Sequence, residues 1–354
     1  MTQEMDRSAG VRATEPPRGS QPGRAPEVQR TAYHVAGVLL LLYGMVSIAW
    51  RVYGFGVADV TVYSPLAVLT DPDENPMGFA LLSLYEWGFA AAMLVVALFL
   101  FARRTAARGG AIWIACLLLA GVLRQAFALL SEEYRESILA ADLGWLLLAT
   151  YVFCAVVGAV VLVAMLRARE ADDVPRVGHA VAYRVAGVLL IVLSLNNLRL
   201  LVWNPALDYT ATDVADYAMW NLRLIASPGN ASMEMAVGAS YLYGLLATLS
   251  MLVIGVLALL RKRFVRGAAI VVLSIELYGV AVALVFPLVG ASWASAGIAV
   301  SYVAVTLVIP LMVIVALVVF ARDSDKRALA SDRSHAPGSP ALAGDLGEQD
   351  TGGD

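Results

Sequence analysis

The chain has 354 residues, of which 60% are hydrophobic and 15% charged, with a formal net charge of -3 at pH 7 and a mean hydropathy of +0.74. So much apolar surface exceeds what a soluble domain of this length needs for its core, and the bilayer is the expected solvent. The charge balance points to no nucleic-acid partner. Two cysteines, Cys116 and Cys154, both inside apolar segments, rule out a disulfide framework and a Cys/His metal site, and no cofactor is expected.

Residues 1–30 are rich in Pro, Gly, Arg and Glu and contain no apolar run. Such a stretch buries too little surface to offset the cost of ordering, so a disordered cytoplasmic tail is expected. It is also too long and polar for the start of a cleaved signal. Eight segments of the length that spans hydrocarbon, about 20 residues, then follow. They run from Ala32 to Tyr53, Phe79 to Phe101, Ala111 to Leu130, Leu143 to Leu166, Tyr183 to Trp203, Met235 to Leu260, Gly267 to Val289 and Trp293 to Phe320. They are too long and too uniformly apolar for barrel strands, so the fold class is an all-α integral membrane protein with eight transmembrane helices.

The nonapeptide Ala32-Tyr33-His34-Val35-Ala36-Gly37-Val38-Leu39-Leu40 recurs as residues 182–190, with Arg184 in place of His34. Further on, Arg103-Arg104 with Arg108-Gly109 matches Arg261-Lys262 with Arg266-Gly267, and Thr150-Tyr151-Val152 matches Ser301-Tyr302-Val303. Three matches in the same order predict two four-helix repeats, residues 31–170 and 181–322, joined by a cytoplasmic linker over 171–180 and followed by a disordered cytoplasmic tail over 323–354. Each unit holds an even number of helices, so the repeats have the same orientation, parallel and not inverted.

Basic residues set that orientation. Arg103, Arg104 and Arg108, then Arg167, Arg169 and Arg176, then Arg261, Lys262, Arg263 and Arg266 all fall in alternate loops, whereas the stretch 54–78 contains no Lys or Arg. Both termini are therefore expected in the cytoplasm, and the Arg-, Ala- and Val-rich usage suits a bacterial inner membrane. Trp50, Trp87, Trp145, Trp203 and Trp293 lie near the outer ends, where an indole buries its ring and keeps its N–H wet. The second long outer loop, 204–234, is expected to hold a short surface helix around Trp220. Asp71-Pro72-Asp73-Glu74-Asn75 in the first is read as a solvated acidic turn, because Pro76 stands where a calcium loop needs a glycine.

Polar groups inside the membrane point to function, because a charge there is kept only when paired, hydrated or used. Counted from the outer ends at about 1.5 Å per residue, Glu86, Arg124, Asn196 and Asn197 lie roughly 10 Å deep. Segments two and three are neighbours, which places Glu86 and Arg124 to meet as an ion pair. Arg51, Arg199, Tyr85 and Tyr243 lie at or just above this layer, as the mouth of an outward-facing polar vestibule. The same residue types serve equally well as glue that sets helix register. Glu276 lies roughly 14 Å from the inner end of segment seven with no base at an evident matching depth. A buried carboxylate of that kind favours its neutral form, which suits a proton site and equally an inert hydrogen-bonding acid. Continued without a gap, the repeat sets Leu118 opposite Glu276.

His34, His179 and His335 are too dispersed to hold a haem, and neither a P-loop nor a G-x-S-x-G elbow is present. Three classes remain. The first is a transporter or permease-like protein for a small polar or anionic solute. The second is a structural or partner-binding subunit of a membrane complex, with the lipid bilayer and other membrane subunits as partners. The third, an enzyme on lipid-linked substrates, lacks a visible nucleophile or metal cluster. Topology is open to direct test: Asp73→Cys is expected to react with an impermeant thiol reagent added outside and Arg104→Cys is not, and the reverse labelling pattern refutes the orientation.

Overall fold

A computed structural model describes residue 25 and residues 27–57, 85–168, 180–202, 240–260 and 265–289, with scattered positions between 214 and 222 and between 308 and 318. Every regular element among these residues is a helix. After a short 3-10 turn at Glu27–Gln29 come α1 (Arg30–Val57), α2 (Tyr85–Phe101), α3 (Thr105–Ala128), α4 (Glu132–Ala140), α5 (Gly144–Arg167), α6 (Ala180–Val202), α7 (Ser240–Leu259) and α8 (Val265–Val289). By length and composition, four stretches suffice to cross a membrane: Glu27–Gly54, Thr105–Ala128, Gly144–Arg167 and Leu242–Leu259; Glu86–Phe101 is a shorter apolar helix. The expected tail before residue 25, the first long outer loop, the cytoplasmic linker, most of the eighth segment and the last tail lie outside the described residues. In the second outer loop the described positions, among them Asp216, Met219 and Leu222, are helical, where the short surface helix was expected.

The helices carry apolar residues all round, as lipid-embedded helices do. On α1 the buried side runs through Tyr33, Ala36, Leu40 and Tyr43, spaced three and four apart, while Val35, Val38, Leu42 and Met45 on the other side are just as apolar and exposed. α1 packs on α2 and α5, α2 on α3, and α3 on α5, closing a four-helix group. α6 packs on α7 and α7 on α8; this second group meets the first where α8 lies against α2 and α3 and α7 touches both.

Glycines set how near these helices come. A Cβ on Gly37 of α1 would lie 2.9 Å from the Phe101 ring and 3.3 Å from the Ala97 carbonyl of α2. On α6 the contact recurs: a Cβ on Gly187 would lie 2.8 Å from the Gly255 carbonyl and 3.2 Å from Leu259 of α7. Gly187 follows Gly37 by 150 residues, and Gly255 and Leu259 follow Ala97 and Phe101 by 158, the spacings of the nonapeptide and of the Arg-rich turn. Burial keeps the same register. The order of buried, half-buried and exposed positions from 36 to 49 is repeated from 186 to 199, and that from 107 to 118 recurs from 265 to 276 except at Trp113 against Val271. Between the groups, a Cβ on Gly267 of α8 would collide with the Ala106 carbonyl of α3.

The turn between α2 and α3 is closed without glycine. Arg104 N–H donates to the Phe99 carbonyl at 2.9 Å and Arg103 N–H to that of Leu100 at 2.9 Å. This is the pairing of a Schellman cap, in which Arg103 takes φ 55°, the conformation that favours glycine and costs another L-residue about 1–2 kcal/mol. The segment before α1 holds it there: Ala25 N–H donates to the Arg103 carbonyl at 2.8 Å, and the Arg103 guanidinium pairs with Glu27. Order thus begins before residue 30, where the sequence places the tail. On the same face Arg108 Nε donates to the Met165 carbonyl at 2.8 Å, satisfying the C-terminal end of α5.

Two details differ from expectation. Trp50, read as an interfacial anchor, is only 8% exposed and donates from Nε1 to Thr150 Oγ1 at 3.1 Å. The helix α4 is an addition; Ser131 caps it by accepting from Tyr134 N–H at 3.5 Å, and Glu132 and Glu133 in its first turn favour the positive end of the helix dipole.

The two equivalent glycine contacts differ in what a side chain would strike, and this can be measured. Gly187→Ala meets a backbone carbonyl and is expected to lower stability in mild detergent by about 1–3 kcal/mol. Gly37→Ala meets chiefly a phenyl edge that can turn aside, so its loss is expected to be smaller; equal losses by thermal unfolding would contradict the geometry.

Candidate functional site

Among the polar residues read from the sequence, two pairs make contacts, one between α1 and α2 and one between α6 and α8. Glu86, in the first turn of α2, is 2% exposed, and its Oε1 lies 3.5 Å from Arg51 Nη1 of α1. Arg51, which the sequence reading sets at the mouth of the same layer, is thus an ion-pair partner of Glu86. Depth alone does not choose between two arginines at one level; helix rotation does, and the contact of α1 with α2 turns Arg51 toward the carboxylate. Arg124 on α3 is buried, at 7% exposure. Beside it Gln125, 2% exposed, donates from Nε2 to the Tyr134 hydroxyl of α4 at 3.0 Å, tying the outer end of α3 to a helix that the sequence reading missed.

Glu276 on α8 is 4% exposed and accepts a hydrogen bond at Oε1 from Asn197 Nδ2 of α6 at 3.1 Å. The sequence reading set Glu276 apart from the amides because it counted depth along upright helices. A shift of one turn, 5.4 Å, or a tilt is enough to bring them level. Asn196 is half-buried next to Asn197, and Arg199 is exposed on the last turn of α6. Tyr85 begins α2, and its side chain lies outside the described residues.

Aromatic residues fill the space between the groups. Tyr243 of α7 stacks on Phe89 of α2, with centroids 4.8 Å apart and planes at 25°. Tyr278 of α8 packs over Gly88 of α2, where a Cβ would lie 3.1 Å from its Cδ1. Deeper toward the Arg-rich turns, Trp113 Nε1 of α3 donates to Ser250 Oγ of α7 at 2.8 Å, and Ser194 Oγ of α6 donates to the Thr248 carbonyl of α7 at 2.8 Å. These last contacts were not read from the sequence, because a lone Ser or Thr in an apolar run also satisfies itself on its own helix: Ser250 Oγ donates to the Leu246 carbonyl at 2.5 Å.

Among the described residues no cluster of three or more His, Cys, Asp or Glu suits a metal ion. The arrangement offers two carboxylates, one matched to a guanidinium and one to an amide, in surroundings of low dielectric. Comparison with protein-family models, curated proteins and solved structures finds no match.

The pairing of Glu86 is testable by a double-mutant cycle in detergent. Glu86→Gln leaves the Arg51 charge in low dielectric and is expected to cost about 3–5 kcal/mol, more than Glu86→Gln combined with Arg51→Gln. The same cycle with Arg124→Gln tests the pair read from the sequence: coupling to Glu86→Gln supports it and additive losses remove it.

Proposed function

We propose that this chain is an eight-helix inner-membrane protein of two parallel four-helix repeats, with both termini cytoplasmic, which moves a small polar or anionic solute along the interface between the repeats. One observation carries the reading: the facing helices α2 and α8 each bury a carboxylate, Glu86 and Glu276, and each is held by the first helix of its own group, through Arg51 of α1 and Asn197 of α6. The two helices that carry these acids pack on each other across the boundary between the groups. Solute sites in duplicated transporters lie at such seams, where relative motion of the halves opens one side and then the other.

The repeat reading draws support from the equivalent contacts of Gly37 and Gly187 and from the matching burial order, since chance similarity of Ala- and Val-rich helices does not reproduce which atoms touch. Glu276 is the candidate proton site: its hydrogen bond from Asn197 supports either protonation state, and Leu118, its counterpart in the first repeat, is fully buried and apolar. The rival reading, a structural subunit bound to other membrane proteins, draws on the low exposure of Glu86, Arg124 and Glu276, all at 7% or less.

Reconstitution separates them. Proteoliposomes with an imposed pH gradient are expected to accumulate one or more members of a panel of small carboxylates and inorganic anions. Glu276→Gln is expected to insert normally and lose the gradient-driven component. Uptake unchanged by Glu276→Gln removes the proton role, and no uptake of any solute, together with stable co-purification of another membrane protein, favours the subunit.

A further inference from the structure

Between the two carboxylates stands a level of aromatic rings. On α2, Gly88 and Phe89 follow Glu86 by two and three residues, about 3–4.5 Å along the axis. On α8, Glu276 precedes Tyr278 by two residues, and on α3 Arg124 follows Gly121 by three. Contacts join the helices at one height: Tyr278 over Gly88, Tyr243 stacked on Phe89, and the Tyr243 hydroxyl 3.1 Å from where a Cβ on Gly121 would lie. Counted along the helix axes the order is therefore Glu86 with Arg124, then the rings, then Glu276.

Both tyrosines come from the second group of helices and both notches from the first. At Gly88 a Cβ would also lie 3.3 Å from the Tyr278 Cβ, the root of that side chain, so a methyl group there displaces the whole ring and not merely its tip. A glycine inside a helix costs roughly 0.5–1 kcal/mol relative to alanine, and two of them here admit aromatic knobs. In the gapless repeat alignment Tyr278 corresponds to Ala120 and Gly88 to Leu246, so that knob and notch are peculiar to one side, whereas Tyr243 and Gly121 correspond to Tyr85 and Gly279 and keep their residue types. A tyrosine suits the place because its ring excludes water while its hydroxyl tolerates polar neighbours.

We infer that Tyr243 and Tyr278, seated on Gly121 and Gly88, are the gate that separates the Glu86 level from the Glu276 level. The inference rests on the solute path proposed above. Separation of the groups by a few ångströms withdraws both rings from their notches together, because both ride on the same side of the seam. The rings act sterically, so a phenylalanine at either position keeps the gate shut and an alanine opens it.

Water access reads this without knowledge of the solute. In a Cys116→Ala, Cys154→Ala background, Asn197→Cys places a thiol beside Glu276, beyond the rings. Its reaction with a small anionic methanethiosulfonate added from the Glu86 side is expected to be slow. Tyr278→Ala and, separately, Tyr243→Ala are expected to speed it by about tenfold or more, as the shut fraction falls. The phenylalanine variants are expected to keep the slow rate. Size-exclusion profiles confirm which variants are folded, and the second tyrosine serves where the first alanine variant is not. Rates in the alanine variants indistinguishable from the parent, or a parent already as fast as they are, overturn the gate. Absence of uptake in the liposome assay with the rate pattern intact strikes the transport proposal alone, because the thiol then reports a closed hydration barrier in a protein that moves no solute.

Discussion

An ionised side chain taken out of water loses several kcal/mol of solvation unless a partner replaces it, and the end of the bundle around Glu86 is arranged around that constraint. Glu86 sits in the first turn of a helix whose remaining residues, Trp87 to Phe101, are uncharged. Its partner has to come from elsewhere, and Arg51 reaches it from α1. The helix start contributes too, since the positive end of the α2 dipole favours an acid in the first turn. With Glu86 located, Phe89 and Gly88 follow one level on, and the tyrosines of α7 and α8 find their seats. Register between the two groups is thereby tied to one carboxylate.

Close approach is the second condition, and it is met by absence of side chains. In lipid the association of helices gains little from the hydrophobic effect, so dispersion and short polar contacts between near backbones must supply it. Gly187 and Gly255 meet carbonyl to would-be Cβ, and Gly110 and Gly267 let α3 lie against α8 at the level of the Arg-rich turns. A few hydroxyls and two indoles then lock the approach: Ser194 to the Thr248 carbonyl, Trp113 to Ser250, Trp50 to Thr150.

Much of this was legible in the chain before any coordinates, and the parts that were not have physical reasons. Helical class and the membrane setting follow from apolar runs of spanning length. The nonapeptide around Gly37 and Gly187 led to the expectation of a repeat, and each of these glycines lies close to the next helix of its group, α2 and α7 respectively. Glu86, Arg124, Asn197 and Glu276 stood out because charged and amide groups are conspicuous in an apolar run. Their pairing did not, because depth is a one-dimensional count, whereas partner choice depends on helix rotation and tilt. Arg51 and Arg124 are indistinguishable by depth. Tyr278 carried no signal by itself; the glycine that seats it lies in another helix, and only packing joins them. Ser131-Glu132-Glu133 before an amphipathic stretch was a readable helix start for α4, overlooked beside the stronger signal of its apolar neighbours.

Comparing the two groups position by position distinguishes what packing demands from what it does not. Ala111 and Ala269, Ile114 and Val272, and Leu117 and Ile275 are all buried and conservative in volume, so the path of α3 and α8 through the structure constrains both chains alike. At the next buried position the pair is Leu118 and Glu276, which are nothing alike. If Glu276 were needed only to hold the helix in place, Leu118 demonstrates that an apolar side chain does so at an equivalent depth, in an equivalent burial environment, without the cost of a buried acid. The same logic applies to Ala120 against Tyr278 and to Leu246 against Gly88. Divergence of this kind touches Tyr278 and Gly88 between the groups and also the polar contacts within each group, since Arg51 and Glu86 correspond to Leu201 and Gly244, and Asn197 and Glu276 to Ser47 and Leu118. The two buried acids and the groups that hold them are therefore the places where the two halves have ceased to resemble one another.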